Sequence, residues 1–358
     1  MPNNNKNSSE TAIAIQGVWK IFGGRDSEVM AAVEQENLSK QKVLEKFDCV
    51  IGVADVSLEV KRGEIFCVMG LSGSGKSTLV RHINRLLEPT AGRVEVNGED
   101  ILALSPEALR RYRNEHIAMV FQNFALMPHR SVLDNIAMPL EIRRMPKNQR
   151  RQVALRVLEL VELSGWENKY ADELSGGMQQ RVGLARALAV DSSILLMDEP
   201  FSALDPLIRR QLQDEFLRLV RTVDKTTVFI THDLDEAVRI GHRIAIMRDG
   251  RVVQIGTPEE IVMNPQDDYV ADFVSGISRL KVVRAHSVMQ SLAAYEQTHG
   301  SLSVNLPSYP GHVNLDVLIK SAIRTESPIG ITNDAGERIG VITRADLLKT
   351  VIEGTETS

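Results

Sequence analysis

The chain has 358 residues, 43% of them hydrophobic, a formal charge of −5 and two cysteines. That length fits about two domains with substantial cores, and the interspersed charges argue against a nucleic-acid binder, which carries a basic face. Cys49 and Cys67 form no metal-spaced cluster and are expected as reduced thiols.

Met1 to Glu10 is polar, and residues 1–12 are expected to lie outside the fold as a disordered start. No stretch approaches the roughly 18 uninterrupted apolar residues of a membrane span, so the chain is expected to be neither secreted nor membrane-spanning by itself. Val18, Trp19, Lys20, Ile21 and Phe22 form an aromatic-bearing strand. A charged segment, residues 24–50, separates it from the next strand, 52–60.

Glu64, Ile65, Phe66, Cys67, Val68 and Met69 read as a short buried strand. It feeds Gly70, Leu71, Ser72, Gly73, Ser74, Gly75, Lys76 and Ser77, which match G-x-x-x-x-G-K-[ST] at every fixed position. Helical spacing follows through Thr78, Leu79, Val80 and Ile83. Such a turn points successive N–H groups inward, and the helix start adds its positive end, so the chain is expected to bind ATP or GTP. Lys76 supplies a mobile cation between the β- and γ-phosphates, and the Ser77 hydroxyl suits Mg²⁺, which prefers oxygen ligands.

Further strands end in polar residues. Residues 117–121 deliver Gln122, whose amide could reach the metal or the water. From 123 to 174 helix formers dominate, with amphipathic spacing at Val153, Val157, Leu160 and Val161. Leu174, Ser175, Gly176 and Gly177 open a second helix whose start is another anion site, so either one chain binds two nucleotides or two chains share each one. Residues 193–197 are continuously apolar and end in Asp198 and Glu199. Asp198 would complete the Mg²⁺ shell, leaving Glu199 to polarise the attacking water. Residues 227–231 deliver His232, by itself more often a turn residue than a catalyst, but placed on the same edge of a parallel sheet, where ligands gather. After Ser275 the composition shifts: a helix at 315–323, a hairpin of 329–332 and 339–343 around Asn333 to Gly336, and a last helix at 344–352 are expected.

The phosphate loop, Gln122, Leu174 to Arg181, Leu195 to Glu199, Ser202 to Asp205 and His232 occur in an order that resembles the ATPase subunits of ABC transporters. The resemblance implies an α/β, P-loop NTPase fold of the ABC type over residues 13–275, with the insertion 24–50 and a helical subdomain at about 123–174. In that family two ATPase domains pack head to tail. Phosphate contacts then fall to Gly70, Leu71, Ser72, Gly73, Ser74, Gly75, Lys76, Ser77 and Thr78, and Ser175, Gly176, Gly177 and Gln179 act in trans. Ala203, Leu204 and Asp205 communicate across the interface, with Asp205 also counted at the nucleotide, and Phe22 stacks on adenine, although Trp19 or a core role stays open. The metal set is Ser77, Gln122 and Asp198; the catalytic set is Glu199, His232 and Gln122. Met178 stands where the signature has glutamine and cannot donate a hydrogen bond.

Phe124 to His129, residues 201–216, His232 to Ala237, Ile255 to Pro258 and the insertion look like the ATPase subunit of glycine betaine and proline betaine importers. ATP and Mg²⁺ are the implied cofactors, and the implied location is the cytoplasmic membrane face. The implied partners are a second ATPase copy, a membrane permease seated near residues 124–135, and an extracytoplasmic solute-binding protein, with no nucleic acid. Local core packing is the alternative for Leu126, Met127 and Leu133. Importers of amino acids, polyamines or sugars, or a non-transport ATPase of the same fold, are the other readings of function. Residues 281–358 resemble one small α+β module of the cystathionine-β-synthase (CBS) type, either regulatory or a dimer brace.

Overall fold

The computed structural model describes residues 11–353 except 37, 123, 203, 224, 301, 303–305, 326 and 334. The chain divides into two compact units, 1–253 and 254–358. The second unit thus begins before the composition shift at 275, and the helices Pro258–Met263 and Asp268–Val274 cluster with it.

A six-stranded sheet, within the first unit except for the last three residues of its edge strand, is ordered Arg251–Gly256, Arg243–Arg248, Ile65–Met69, Thr226–Thr231, Ile194–Asp198, Ile117–Val120. The strand Ile65–Met69 runs parallel to both its neighbours, and Ile194–Asp198 runs parallel to both of its own. Three of these strands are buried at every position, which is why their sequences read as unbroken apolar runs rather than as alternation. Register fixes where they end: Met69 pairs with Thr231, Asp198 with Ile230 and Val120 with Met197. Gly70, His232, Glu199 and Gln122 therefore leave one sheet edge together.

A second, antiparallel sheet is ordered Val50–Lys61, Thr11–Phe22, Ala91–Val96, Glu99–Asp100. Its strand starts at Thr11 rather than after residue 12, because Ala12 is already buried and Thr11 pairs with Lys61. The charged segment between the first two strands folds as the helices Asp26–Glu36 and Lys40–Phe47. Ser39 caps the second by accepting from the Lys42 N–H, and Asp48 ends it in the left-handed region. Val29, Val33, Val43 and Phe47 are buried against Trp19, Ile21, Ile51 and Ala54, so the insertion carries its own small core on the end of the sheet.

The helices Val132–Ile142, Lys147–Leu160 and Gly176–Leu188 enclose another core around Leu133, Ile136, Leu140, Val157, Leu158 and Val182. Val157 and Val161 of the expected amphipathic stripe are buried there, with Val153 packed against them. Leu160, the fourth, is 53% exposed and turns away from that core.

In the second unit a four-stranded sheet is ordered Gln290–Ser291, Arg338–Ile342, Ile329–Thr332, Ser308–Pro310. Its central hairpin and the helices Leu315–Ala322 and Arg344–Glu353 stand where the sequence places them. Leu315, Leu318, Ile329, Ile331, Ile342 and Leu347 form its core. Asp334 of the expected turn lies outside the described residues.

Candidate nucleotide site

The phosphate loop leaves the strand Ile65–Met69 and enters the helix Lys76–Ile83. Gly75 sits at φ 101°, and a Cβ there would stand 2.2 Å from the Gly52 carbonyl, so only glycine lets the loop press on the neighbouring sheet. The Gly250 N–H donates to the Ser74 carbonyl at 3.0 Å and braces the loop from the other side. Lys76 is buried; its Nζ donates to the carbonyls of Gly70 at 2.8 Å and Leu71 at 3.1 Å. Burial lowers the Lys76 pKa from its ordinary value, while the charges of Glu199 and then Asp198 act against that shift.

The two carboxylates at the end of Ile194–Asp198 have separate partners. Asp198 is buried; its Oδ1 accepts from Ser77 Oγ at 2.8 Å, and its Oδ2 lies 3.4 Å from Arg81 Nη2. Glu199, at φ 45°, turns back toward the strand ends: its N–H donates to the Ile230 carbonyl. Its Oε2 accepts from Gln122 Nε2 at 3.4 Å and lies 3.0 Å from His232 Nδ1, while its Oε1 is 3.9 Å from Lys76 Nζ. Three side chains, two from strand ends and one from the phosphate-loop helix, thus meet on the Glu199 carboxylate.

Ser77, Asp198 and Gln122 fit Mg²⁺ in kind, being a hydroxyl, one carboxylate and an amide beside a phosphate loop. No group of three His, Cys, Asp or Glu side chains able to hold a metal exists among the described residues. Arg81 is a feature of this site that motif reading missed; its spacing from Ser77 along one helix face was the available signal.

Phe22 is 41% exposed, with Lys20 Nζ 5.2 Å from its ring centroid. A Cβ on Gly52 would meet Phe22 Cε2 at 2.8 Å and Thr78 Cγ2 at 3.1 Å, which places the ring beside the first turn of the phosphate-loop helix. Trp19 is instead buried in the insertion core, under the Arg251 guanidinium. An accessible ring next to the loop belongs to Phe22.

The second helix start is built differently. Ser175 caps Gly176–Leu188 by accepting from the Met178 N–H, and Ser175 and Gly176 are exposed. Gln179 Nε2 donates to the carbonyls of Ala171 and Leu174. Met178 packs on the helical core, where a thioether serves as well as any apolar group. A Cβ on Gly177 would lie 2.8 Å from Ile208 Cγ2, so the turn fits closely on the next helix, Pro206–Val223. Asp205 Oδ1 accepts from the N–H groups of Leu207 and Ile208 at that helix start. Leu204 is buried, and Ala203 lies outside the described residues.

Two further residues hold the loop after Gln122. Phe124 and Ala125 are both left-handed, and their carbonyls accept from Arg186 Nη2 at 2.8 Å and Nη1 at 2.6 Å. Asn135, buried, accepts from the Met127 N–H and donates to the carbonyls of Met127, Arg130 and Ser131. Leu126 and Leu133 belong to the helical core, as the alternative for them has it, whereas Met127 is 37% exposed with Pro128 and His129 beside it.

The profile of a family described as ABC transporter matches residues 53–202. The glycine betaine transport ATP-binding protein OpuAA of Bacillus subtilis (strain 168) is 53% identical over 278 residues, 78% of this chain and 66% of its own length. The glycine betaine/proline betaine transport system ATP-binding protein ProV of Escherichia coli (strain K12) is 53% identical over 276 residues, 77% of this chain and 69% of its own. The trimethylamine N-oxide transport system ATP-binding protein TmoW of Pelagibacter ubique (strain HTCC1062) is 40% identical over 343 residues, 96% of this chain and 98% of its own. The chain thus spans about two thirds of the betaine relatives and nearly the whole of the last. Among solved structures, a dimeric post-hydrolysis state of an ATP-binding cassette bound to ADP and Pi aligns with a TM-score of 0.58 and 32% identity, over 69% of this chain and 98% of that one.

Proposed function

The chain belongs to the ATP-binding subunits of ABC transporters, and from that membership we propose that two copies hydrolyse Mg-ATP to drive import of a quaternary amine or related compatible solute. The observation that carries the reading is the division of labour between adjacent carboxylates: Asp198 is joined to Ser77, and Glu199 to Lys76, Gln122 and His232.

In this mechanism Lys76 leaves the Gly70 and Leu71 carbonyls for the phosphates, and loop N–H groups complete the cradle. Ser77, Asp198 and Gln122 would hold Mg²⁺, which supplies charge neutralisation at the phosphates when bound. Glu199 accepts a proton from water as its oxygen bonds to the γ-phosphorus and the bond to the leaving ADP oxygen breaks. His232 keeps Glu199 aimed and steadies the developing charge. Phe22 stacks on the base.

A head-to-tail pair supplies the second face. The exposed Ser175–Gly176 turn, with its helix start, is free to close over a phosphate held by another copy, with Gly177 behind it. Gln179 joins by exchanging its bonds to Ala171 and Leu174. Asp205 orders the adjoining helix at that interface. The surface at Met127, Pro128 and His129, fixed by Asn135, takes a cytoplasmic helix of a permease. No helix among the described residues is long and apolar enough to cross a membrane, and a peripheral place on the cytoplasmic face follows from that docking. An extracytoplasmic binding protein delivers the solute, and the small second unit, with its hairpin between two helices, regulates the cycle as a CBS-like module.

The near-complete length match with the trimethylamine N-oxide relative favours a second cargo reading, an N-oxide rather than a carboxylated betaine. Reconstitution with a permease partner tests both. ATPase stimulation by glycine betaine, proline betaine, choline or trimethylamine N-oxide names the cargo, and stimulation by none of them refutes the solute class.

A further inference from the structure

The insertion, residues 24–50, stands at the nucleotide site. It begins directly after Phe22, and its second helix, Lys40–Phe47, opens with a side chain that touches the phosphate loop: Lys40 Nζ donates to the Gly73 carbonyl at 2.8 Å. We infer that Lys40 is a positioning residue for the nucleotide, through which the insertion fixes the tip of the phosphate loop. This rests on the proposal that the loop holds ATP.

The tip needs such a contact. Gly73 lies at φ +78°, with nothing within 4 Å of where its Cβ would be, and Leu71 beside it is 60% exposed. The base of the loop is braced at Gly75 and Ser74 by Gly52 and Gly250, and the Ser74 N–H closes the turn around Gly73 onto the Leu71 carbonyl at 3.1 Å, so the Lys40 bond adds the hold on Gly73 from outside the loop. A glycine in open space gives up the most backbone freedom when a ligand orders it. A tip already fixed has given up that freedom beforehand, and the saving appears as affinity.

Lys40 is placed to do this. It is the first residue of a helix capped by Ser39 and anchored by Val43 and Phe47 in the insertion core. Its backbone is therefore rigid with respect to the sheet that carries Phe22, and the charged donor makes a stronger bond to a carbonyl than a neutral one would. Base platform and loop tip are thereby held by one structural piece.

Lys40→Met and Lys40→Arg, with Lys46→Ala as a control on the same helix that removes the pair with Glu36 and the cation over the Phe47 ring, separate this from a general effect on folding. The readouts are ATP and ADP dissociation constants from a fluorescent nucleotide, kcat and KM for ATP, and thermal midpoint on the full chain. The expected result is about 5-fold weaker binding of both nucleotides and a matching rise in KM for Lys40→Met. kcat should hold within about 2-fold, Lys40→Arg should restore most of the affinity, and Lys46→Ala should match wild type. Unchanged affinity in Lys40→Met, or an equal loss in Lys46→Ala, overturns the inference while leaving ATP binding intact. Failure of the wild-type chain to bind ATP removes the premise instead.

Discussion

Replacing Glu199 by glutamine is the sharpest perturbation of the cluster, because it alters charge and proton affinity while preserving shape. Glu199 is mostly buried, its Oε2 lies 3.0 Å from His232 Nδ1 and 3.4 Å from Gln122 Nε2, and its Oε1 lies 3.9 Å from Lys76. An amide can keep its oxygen toward His232 and Gln122 and its nitrogen in the second position. What disappears is the group to which the proposed mechanism gives the proton. General-base help contributes about 10²–10⁴ in rate, or roughly 3–5 kcal/mol of barrier at 1.36 kcal/mol per decade. Losing the Glu199 charge also removes the largest influence opposing the burial of Lys76, so the pKa of that lysine moves further down. Glu199→Gln is therefore expected to lose about 10²-fold or more in phosphate release at saturating Mg-ATP. ATP should still bind within about 3-fold of wild type, and the ATP-bound pair should persist longer on size exclusion. Turnover within about 10-fold of wild type would move the base to another residue, and parallel loss of binding would show that the carboxylate chiefly shapes the site.

Three other perturbations follow from the geometry. Arg186→Met leaves the Phe124 and Ala125 carbonyls without their donor in a left-handed stretch, so a loss of about 2 kcal/mol in stability and weaker coupling of ATPase to transport are expected. Denaturant titration reads the first and a proteoliposome uptake assay the second; an unchanged midpoint and unchanged uptake would show the bond to be incidental. Gly177→Ala drives a methyl against Ile208 and should cost about 1–2 kcal/mol, with Ile208→Ala recovering much of it in a double-mutant cycle; additive losses would mean the two do not touch. Burial raises the Glu236 pKa above its ordinary carboxylate value, although Gln213 Nε2 donates to it at 2.9 Å. The native state then binds a proton in a window above pH 4.5 that the unfolded chain has released, so the stability this group adds is full below that pH and lost as pH rises through the folded pKa. Glu236→Gln should gain thermal midpoint relative to wild type as pH rises from about 4 to 7, and a constant difference across that range would refute the assignment.

How far the sequence speaks depends on what kind of contact carries the function. Asp198, Glu199 and His232 were legible because each follows a strand buried on both faces, and an unbroken apolar run ending in a polar residue marks where a parallel sheet opens to ligands. Phe22 and Trp19 could not be ranked from their order alone; burial separates them, since one ring enters the insertion core and the other stays beside Thr78. Leu160 was misplaced because amphipathic spacing identifies a stripe but not the point at which a helix ends against its core. Arg186, Asn135 and Lys40 were silent for another reason: their partners are backbone carbonyls, which every residue possesses, so nothing in the partner's identity marks the pair. Lys40 reaches across 33 positions and Arg186 across 62, distances that only the fold closes. The Ser175–Gly176 turn is legible as a capped helix start, and the structure shows it exposed. Motifs thus report groups suited to a nucleotide, while Lys40 and the Arg186 fork become visible only through the backbone carbonyls they grip.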